Sequence, residues 1–145
     1  MAVPIVVPDA SVILKWVLPA TDEADLKPAL ALRDAIAAGD VQAVVPTLWV
    51  YEVGNTLARR YPERAGRTLD TLLRFDLVSA PLTPRWLRQV LALTQRYGVT
   101  FYDAAYHAHA LARRGVFVTA DERYLERAGA AGGLARLSDW APRAT

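Results

Sequence analysis

At 145 residues, 53% hydrophobic and 22% charged, the chain has the size and composition of one ordinary globular domain rather than a disordered segment. The absence of cysteine excludes disulfides and thiolate metal sites. The net charge of +2 is unevenly spread: residues 1–58 hold three basic and seven acidic groups, a balance of −4, and residues 59–145 hold fourteen and eight, a balance of +6.

The N-terminal run "AVPIVV" has no basic lead-in and is too short for a signal peptide. No stretch approaches the roughly 18 apolar residues of a membrane span. The expectation is a single soluble, cytoplasmic domain over residues 1–145 that does not engage a membrane. In chain order, "IVV" (5–7), "QAVV" (42–45) and "VFVT" (116–119) read as short, fully buried strands. "LARL" (134–137) is a fourth candidate, and the segment around "DLVSA" (76–80) a fifth. Helical periodicity falls between them at 11–18, 23–38, 48–60, 64–74, 84–97, 102–114 and 121–128. Gly39 and Gly115 stand where C-caps belong, and Pro19, Pro46, Pro62, Pro81 and Pro84 mark boundaries. Strands alternating with helices predict an α/β fold with a parallel sheet covered on both faces. Arg59, Arg60, Arg64, Arg67 and Arg74 crowd one region, a surface that would attract a polyanion and that a solvated arginine-rich face explains equally well.

Ligands of such sheets bind beyond the carboxyl ends of the strands, so polar residues just after strands matter most. Asp9 follows "IVV", Asp121 follows "VFVT", Glu52 lies in the first turns of the helix after "AVVP", and Asp103 opens "FYDAAYHAHALARR". Each acid has a structural role open to it. Asp9 and Asp121 suit helix N-caps, Asp103 suits a capping box with Thr100, and Glu122 offers a rival box with Thr119. Glu52 suits an ordinary position near a positive helix end. Together they read differently. Asp103 and Glu52 sit among residues that pack, where a carboxylate is costly unless paired or bound to a cation. Few basic residues lie near them in sequence, Lys15 being the closest to Asp9. Converging carboxylates repel one another, and a divalent cation is the simplest remedy. A site of oxygen ligands alone suits Mg²⁺, with Mn²⁺ the alternative.

Other chemistries lack their motifs. There is no phosphate-binding glycine loop of either common type and no G-x-S-x-G elbow. His107 and His109 face different directions on one helix and do not chelate. His107 shares a face with Asp103, which allows either a hydrogen bond to a ligand carboxylate or a plain buried position. Trp16, Trp49, Trp86 and Trp140 read as core or interface residues rather than base-stacking platforms.

"VPDASVILKW", "PTLWVYEVGNTL", "GVTFYDAAYHAHALARRG" and "VFVTADERYL" resemble the four acidic motifs of the PIN domain, in order and across nearly the whole chain. The likeness is greatest to the VapC-type toxins of bacterial and archaeal toxin–antitoxin systems. The resemblance implies a three-layer fold with a five-stranded parallel sheet flanked by helices. It implies that Asp9, Glu52, Asp103 and Asp121 are catalytic metal-binding acids, with Ser11 and Thr119 as supporting hydroxyls. It also implies an Mg²⁺-dependent endoribonuclease, hydrolysing RNA phosphodiester bonds with a metal-activated water, restrained by a small VapB-like antitoxin and assembled as a homodimer. The competing readings are a PIN nuclease of RNA processing or of DNA that works without an antitoxin, and a non-catalytic module that binds RNA or protein.

Overall fold

The β-branched runs pair side by side because each is apolar on both faces and must be covered on both. A computed structural model describes residues 2–19 and 25–142 of the chain. Its elements are β1 (Ile5–Pro8), α1 (Ala10–Val17), α2 (Leu26–Ala37), β2 (Gln42–Val45), α3 (Leu48–Arg60), α4 (Pro62–Leu73), β3 (Leu77–Ser79), α5 (Pro84–Tyr97), α6 (Phe101–Ala112), β4 (Val116–Thr119), α7 (Glu122–Ala128) and β5 (Leu134–Arg136). Positions 23 and 24 of the helix expected at 23–38 lie outside the described residues. The five strands form one parallel sheet in the order β3-β2-β1-β4-β5.

Strand order decides which helices lie where. The chain steps outward from β1 through β2 to β3, then returns across the sheet to β4 and continues to β5. Right-handed crossovers therefore send α1–α4 to one face and α5–α7 to the other. The direction reverses between β1 and β4, and that gap is the switch point of the sheet. Only the three central strands are largely buried. The expectation of a fully buried strand at 134–137 is corrected: β5 is a partly exposed edge, and the buried Leu137 begins a 3₁₀ turn whose other two residues are exposed.

The main core joins Val6, Val7, Val44, Val45, Phe117 and Val118 of the sheet to Ile13, Leu32, Val53 and Leu57 of the helices. A second cluster packs Trp86, Val90 and Leu93 of α5 against Ala104, Ala105 and Ala108 of α6. Those alanines explain the composition of "FYDAAYHAHA": α6 is buried from Ala104 to Ala110, with β1, β2 and β4 on one side and α5 on another. Trp86 anchors the pair through Nε1, which donates to the Ala105 carbonyl at 3.2 Å. Trp16 does the same between α1 and α2, donating to the Ala29 carbonyl at 2.8 Å. Trp49 is also buried and Trp140 half-buried, so the tryptophans are packing residues.

Gly115 is not a left-handed cap, as its place after a helix had implied. Arg114 adopts that conformation instead, at φ 53°. Gly115 is required by close approach: a Cβ there would sit 2.7 Å from the Ile5 carbonyl oxygen, where β4 enters beside β1. Gly66 is its opposite, a helical glycine of α4 whose Cβ would meet nothing within 4 Å. Gly115→Ala is therefore expected to destabilise the fold by about 1–3 kcal/mol. Gly66→Ala should stabilise it by about 0.5–1 kcal/mol. Urea denaturation of the two variants measures both, and a neutral Gly115→Ala would contradict the close approach.

Candidate active site

Asp9 occupies the N-cap position of α1, yet its side chain makes no capping bond. Its backbone does that work: the amide extends the sheet by donating to Val118 O at 3.0 Å, and the carbonyl accepts from Val12 and Ile13. The carboxylate is thereby released for other partners. Its Oδ2 accepts from Ser11 Oγ and from Thr119 Oγ1, both at 2.9 Å. Thr119 is the last residue of β4, so this second bond crosses the switch point. Its hydroxyl also accepts from the Asp121 amide at 3.1 Å, which ties a second acid to the first.

The other acids arrive from three further elements. Glu52, in the second turn of α3, accepts from the Tyr106 hydroxyl of α6 at 3.1 Å. Asp103 stands in the first turn of α6, where its amide donates to the Thr100 N-cap hydroxyl at 3.1 Å. Asp121 caps α7, its Oδ1 accepting from the Tyr124 amide at 3.2 Å. The rival box between Thr119 and Glu122 does not form. Arg136 draws Glu122 away in a two-pronged pair of 2.7 and 2.8 Å, which holds its carboxyl below the usual range. Asp103 and Asp121 open onto one cavity of about 190 Å³, which Thr100, Arg123, Tyr124 and Arg127 also line.

Charge ties the acids together. Burial, opposed by the two hydroxyls and raised further by Asp103, lifts the Asp9 carboxyl above its ordinary value. Burial, with Asp9 and Asp103 adding to it against the Tyr106 bond, lifts Glu52 to about 7. Burial lifts Asp103 too, with Asp121 contributing. Burial and the acids' own charges are what push all three upward. Among the described residues the acids do not gather into a ready-made metal cage of three or more. The donor chemistry nonetheless fits a hard divalent cation: hard oxygens from several chain segments, partly withheld from water and in one another's field.

His107 takes no part in this. It is fully buried, with Nε2 at 2.7 Å from the Gly132 carbonyl and Nδ1 at 2.8 Å from the Tyr124 hydroxyl. The carbonyl can only accept, so Nε2 carries the proton and Nδ1 receives the tyrosine's. The bond to a ligand carboxylate open to it in the sequence is absent. The clustered arginines are solvated at the α3–α4 junction and beyond, with Arg60 and Arg64 over the Tyr61 ring at 5.6 and 6.0 Å and Arg74 paired to Asp70 at 2.9 Å. Four residues that touch the site went unread in the sequence: Tyr106, Arg123, Tyr124 and Arg127. Tyr106 had a signal, because it stands one helical turn from Asp103 on the same face. Burial and the acids' charge keep its hydroxyl protonated as a donor.

A family model described as PIN domain matches residues 6–130. No curated protein matches the chain. Among solved structures, a toxin–antitoxin complex from Klebsiella pneumoniae aligns at 18% identity and TM-score 0.66, over 91% of this chain and 97% of that one. VapBC2 from Rickettsia felis, bound to a DNA fragment from their promoter, aligns at 13% and 0.68, over 91% and 98%. PAE2754 from Pyrobaculum aerophilum aligns at 23% and 0.62, over 95% and 92%. At these identities the likeness is one of fold.

The raised carboxyls predict how the metal-free protein responds to pH. Between its ordinary value of 4.5 and about 7, folded Glu52 keeps a proton that the unfolded chain has released. Stability is thus greatest below that window and falls as pH rises through it. Glu52→Gln, which keeps an acceptor for Tyr106, should flatten the fall and stabilise the protein at pH 8 in EDTA by about 1–2 kcal/mol. Thermal melts across the range test this. A variant no more stable than the parent at pH 8 would remove the repulsion.

Proposed function

The chain belongs to the PIN-domain family, and on that premise we propose that it is a metal-dependent endoribonuclease acting as the toxin of a toxin–antitoxin pair. The observation that carries this reading is the use of the Asp9 carboxylate. It stands at a helix N-terminus but is held by Ser11 and Thr119 at the sheet's switch point, beside other acids whose charge it feels. A structural cap has no need of that arrangement. Asp9, Glu52, Asp103 and Asp121 would hold the cation, Mg²⁺ or Mn²⁺, with Asp9 and Asp103 as its first ligands. The bound cation would supply charge neutralisation at the phosphoryl oxygens and a readier source of hydroxide.

The remaining work falls to side chains of the chain itself. Ser11 and Thr119 fix the orientation of Asp9, and Tyr106 fixes Glu52. Arg123 and Arg127, in the cavity shared by Asp103 and Asp121, would meet the charge of the phosphodiester and draw RNA toward acids that otherwise repel it. RNA as substrate follows from the family resemblance. The antitoxin is favoured by the likeness of this fold to the toxin–antitoxin complex from Klebsiella pneumoniae. A homodimer acting in the cytoplasm completes the proposal.

Cleavage of structured RNA should require Mg²⁺ or Mn²⁺ and cease in EDTA. Thr119→Val, which removes the hydroxyl from Asp9, should lower activity about 10- to 100-fold. Asp9→Asn and Asp103→Asn should lower it further and weaken Mn²⁺ binding in calorimetric titration. Full cleavage by both asparagine variants, or in EDTA, would sink the assignment. Cleavage of DNA in preference to RNA would instead favour the nuclease that works without an antitoxin.

A further inference from the structure

Asp103 and Asp121 stand on different helices and line one cavity, and the charge of Asp121 reaches Asp103. Among the described residues no hydrogen bond joins the two acids. Like charges at close range push apart, and the helix with less to hold it is α7. It has seven residues, too few to be stable unaided. Asp121, Glu122 and Arg123 at its start are exposed, and only Tyr124 and Ala128 are buried. Ala128 offers a single methyl group, so Tyr124 is the anchor of α7 in the core.

That anchor is fixed at both ends. The Tyr124 amide donates to Asp121 Oδ1 at 3.2 Å, and its hydroxyl donates to His107 Nδ1 at 2.8 Å. His107 lies on α6 one turn beyond Asp103, about 6 Å along the axis. Its Nε2 donates to the Gly132 carbonyl at 2.7 Å, so the ring cannot turn away. Burial lowers the His107 pKa against that bond, and the neutral ring leaves Nδ1 to accept. Phe117 of β4 backs the pair: Tyr124 meets it edge-on at 5.5 Å, and His107 lies 5.9 Å from it. Packing does not require a polar bond here, since two apolar side chains would fill the same space. What the bond adds is a fixed length and direction between two helices. Among the described residues no other hydrogen bond joins α6 to α7.

We propose that His107 and Tyr124 are positioning residues: their hydrogen bond clasps α7 to α6 and keeps Asp121 within reach of the cation that Asp103 binds. The proposal rests on the reading of these two acids as metal ligands, and it gives neither positioning residue a contact with cation or RNA. Tyr124 acts on Asp121 through its own amide, and His107 acts one step further back, through the tyrosine. Without the clasp, α7 yields to the repulsion between the acids, and the site must be reassembled each time a cation binds. Such indirect support is what partners of metal ligands supply elsewhere.

The full chain is compared with Tyr124→Phe, which keeps the ring and loses the hydroxyl. Hydrogen exchange in EDTA is read at the amide of residue 124 and at Leu125, whose amide donates to the Asp121 carbonyl at 3.1 Å. The Phe117 amide, bonded to the Gly133 carbonyl at 2.9 Å, reports global opening. The two α7 amides should exchange about tenfold faster in the variant while Phe117 is unchanged. Mn²⁺ affinity in calorimetric titration should fall about tenfold. In an Asp121→Asn background, adding Tyr124→Phe should lower the affinity no further. His107→Asn, whose side-chain oxygen can stand in for Nδ1, should stay closer to the parent than His107→Leu. Unchanged exchange in α7, or equal acceleration at Phe117, overturns the proposal. So does a loosened α7 with intact Mn²⁺ affinity, or a loss of affinity that persists in full without Asp121. A parent that binds Mn²⁺ but leaves RNA whole refutes the nuclease reading alone, and exchange and affinity still decide the clasp. A parent that binds no Mn²⁺ removes both.

Discussion

The hydrogen bond from Thr119 Oγ1 to Asp9 Oδ2 is the constraint from which the candidate site is built. It joins the ends of β1 and β4, the two strands between which the chain reverses direction across the sheet. Its length depends on register. Val7 pairs with Phe117 and Pro8 with Val118, so Asp9 emerges beside Thr119 and continues the ladder through its own amide. A slip of one residue would turn Thr119 to the other face of the sheet. Gly115 guards that register at the opposite end of β4, where the Ile5 carbonyl leaves no room for a side chain.

What this bond does not do is equally informative. Ser11, Thr119 and Tyr106 are neutral donors, so they orient carboxylates without cancelling their charge. Asp9, Glu52 and Asp103 are left partly withheld from water and in one another's field, and all three hold protons more tightly than free carboxylates do. Such an arrangement costs stability, and the fold offsets the cost elsewhere. The alanines of α6 let the helix sit between the sheet and α5, where nearly every turn is buried. Close apolar packing and neutral hydroxyl bonds thus hold the acids in place without discharging them.

The sequence displayed much of this and concealed the rest for identifiable reasons. The central strands were legible as β-branched runs bounded by proline, glycine and aspartate, and the helices by their caps, with most ends displaced by no more than two residues and the start of α2 by three. β5 was not legible as an edge, because "LARL" has the apolar content of a buried strand. Only tertiary structure shows that its single neighbour leaves Arg136 outward to meet Glu122. Gly115 looked like a cap because caps and close approaches both select glycine, and one residue type carries both signals. The four acids could be picked out by their place after strands or at helix starts. Their partners could not, since Thr119 lies 110 residues from Asp9 and Tyr106 lies 54 from Glu52.

Asp9 and Asp121 show why a single sequence leaves capping and ligand roles entangled. Both are N-caps in extended conformation immediately before a helix. Asp121 behaves as the position predicts, its Oδ1 accepting from the Tyr124 amide in the third residue of α7. Asp9 does not, because two hydroxyls compete for its carboxylate and one of them, Thr119, is fixed by the adjacent strand. Capping employs one carboxylate oxygen, so even Asp121 is not disqualified as a ligand by serving as a cap. The discriminating feature is therefore not the cap position but what else reaches the carboxylate. At Asp9 that is a hydroxyl delivered across the sheet's switch point, a partner with no reason to be there if the aspartate only ended a helix.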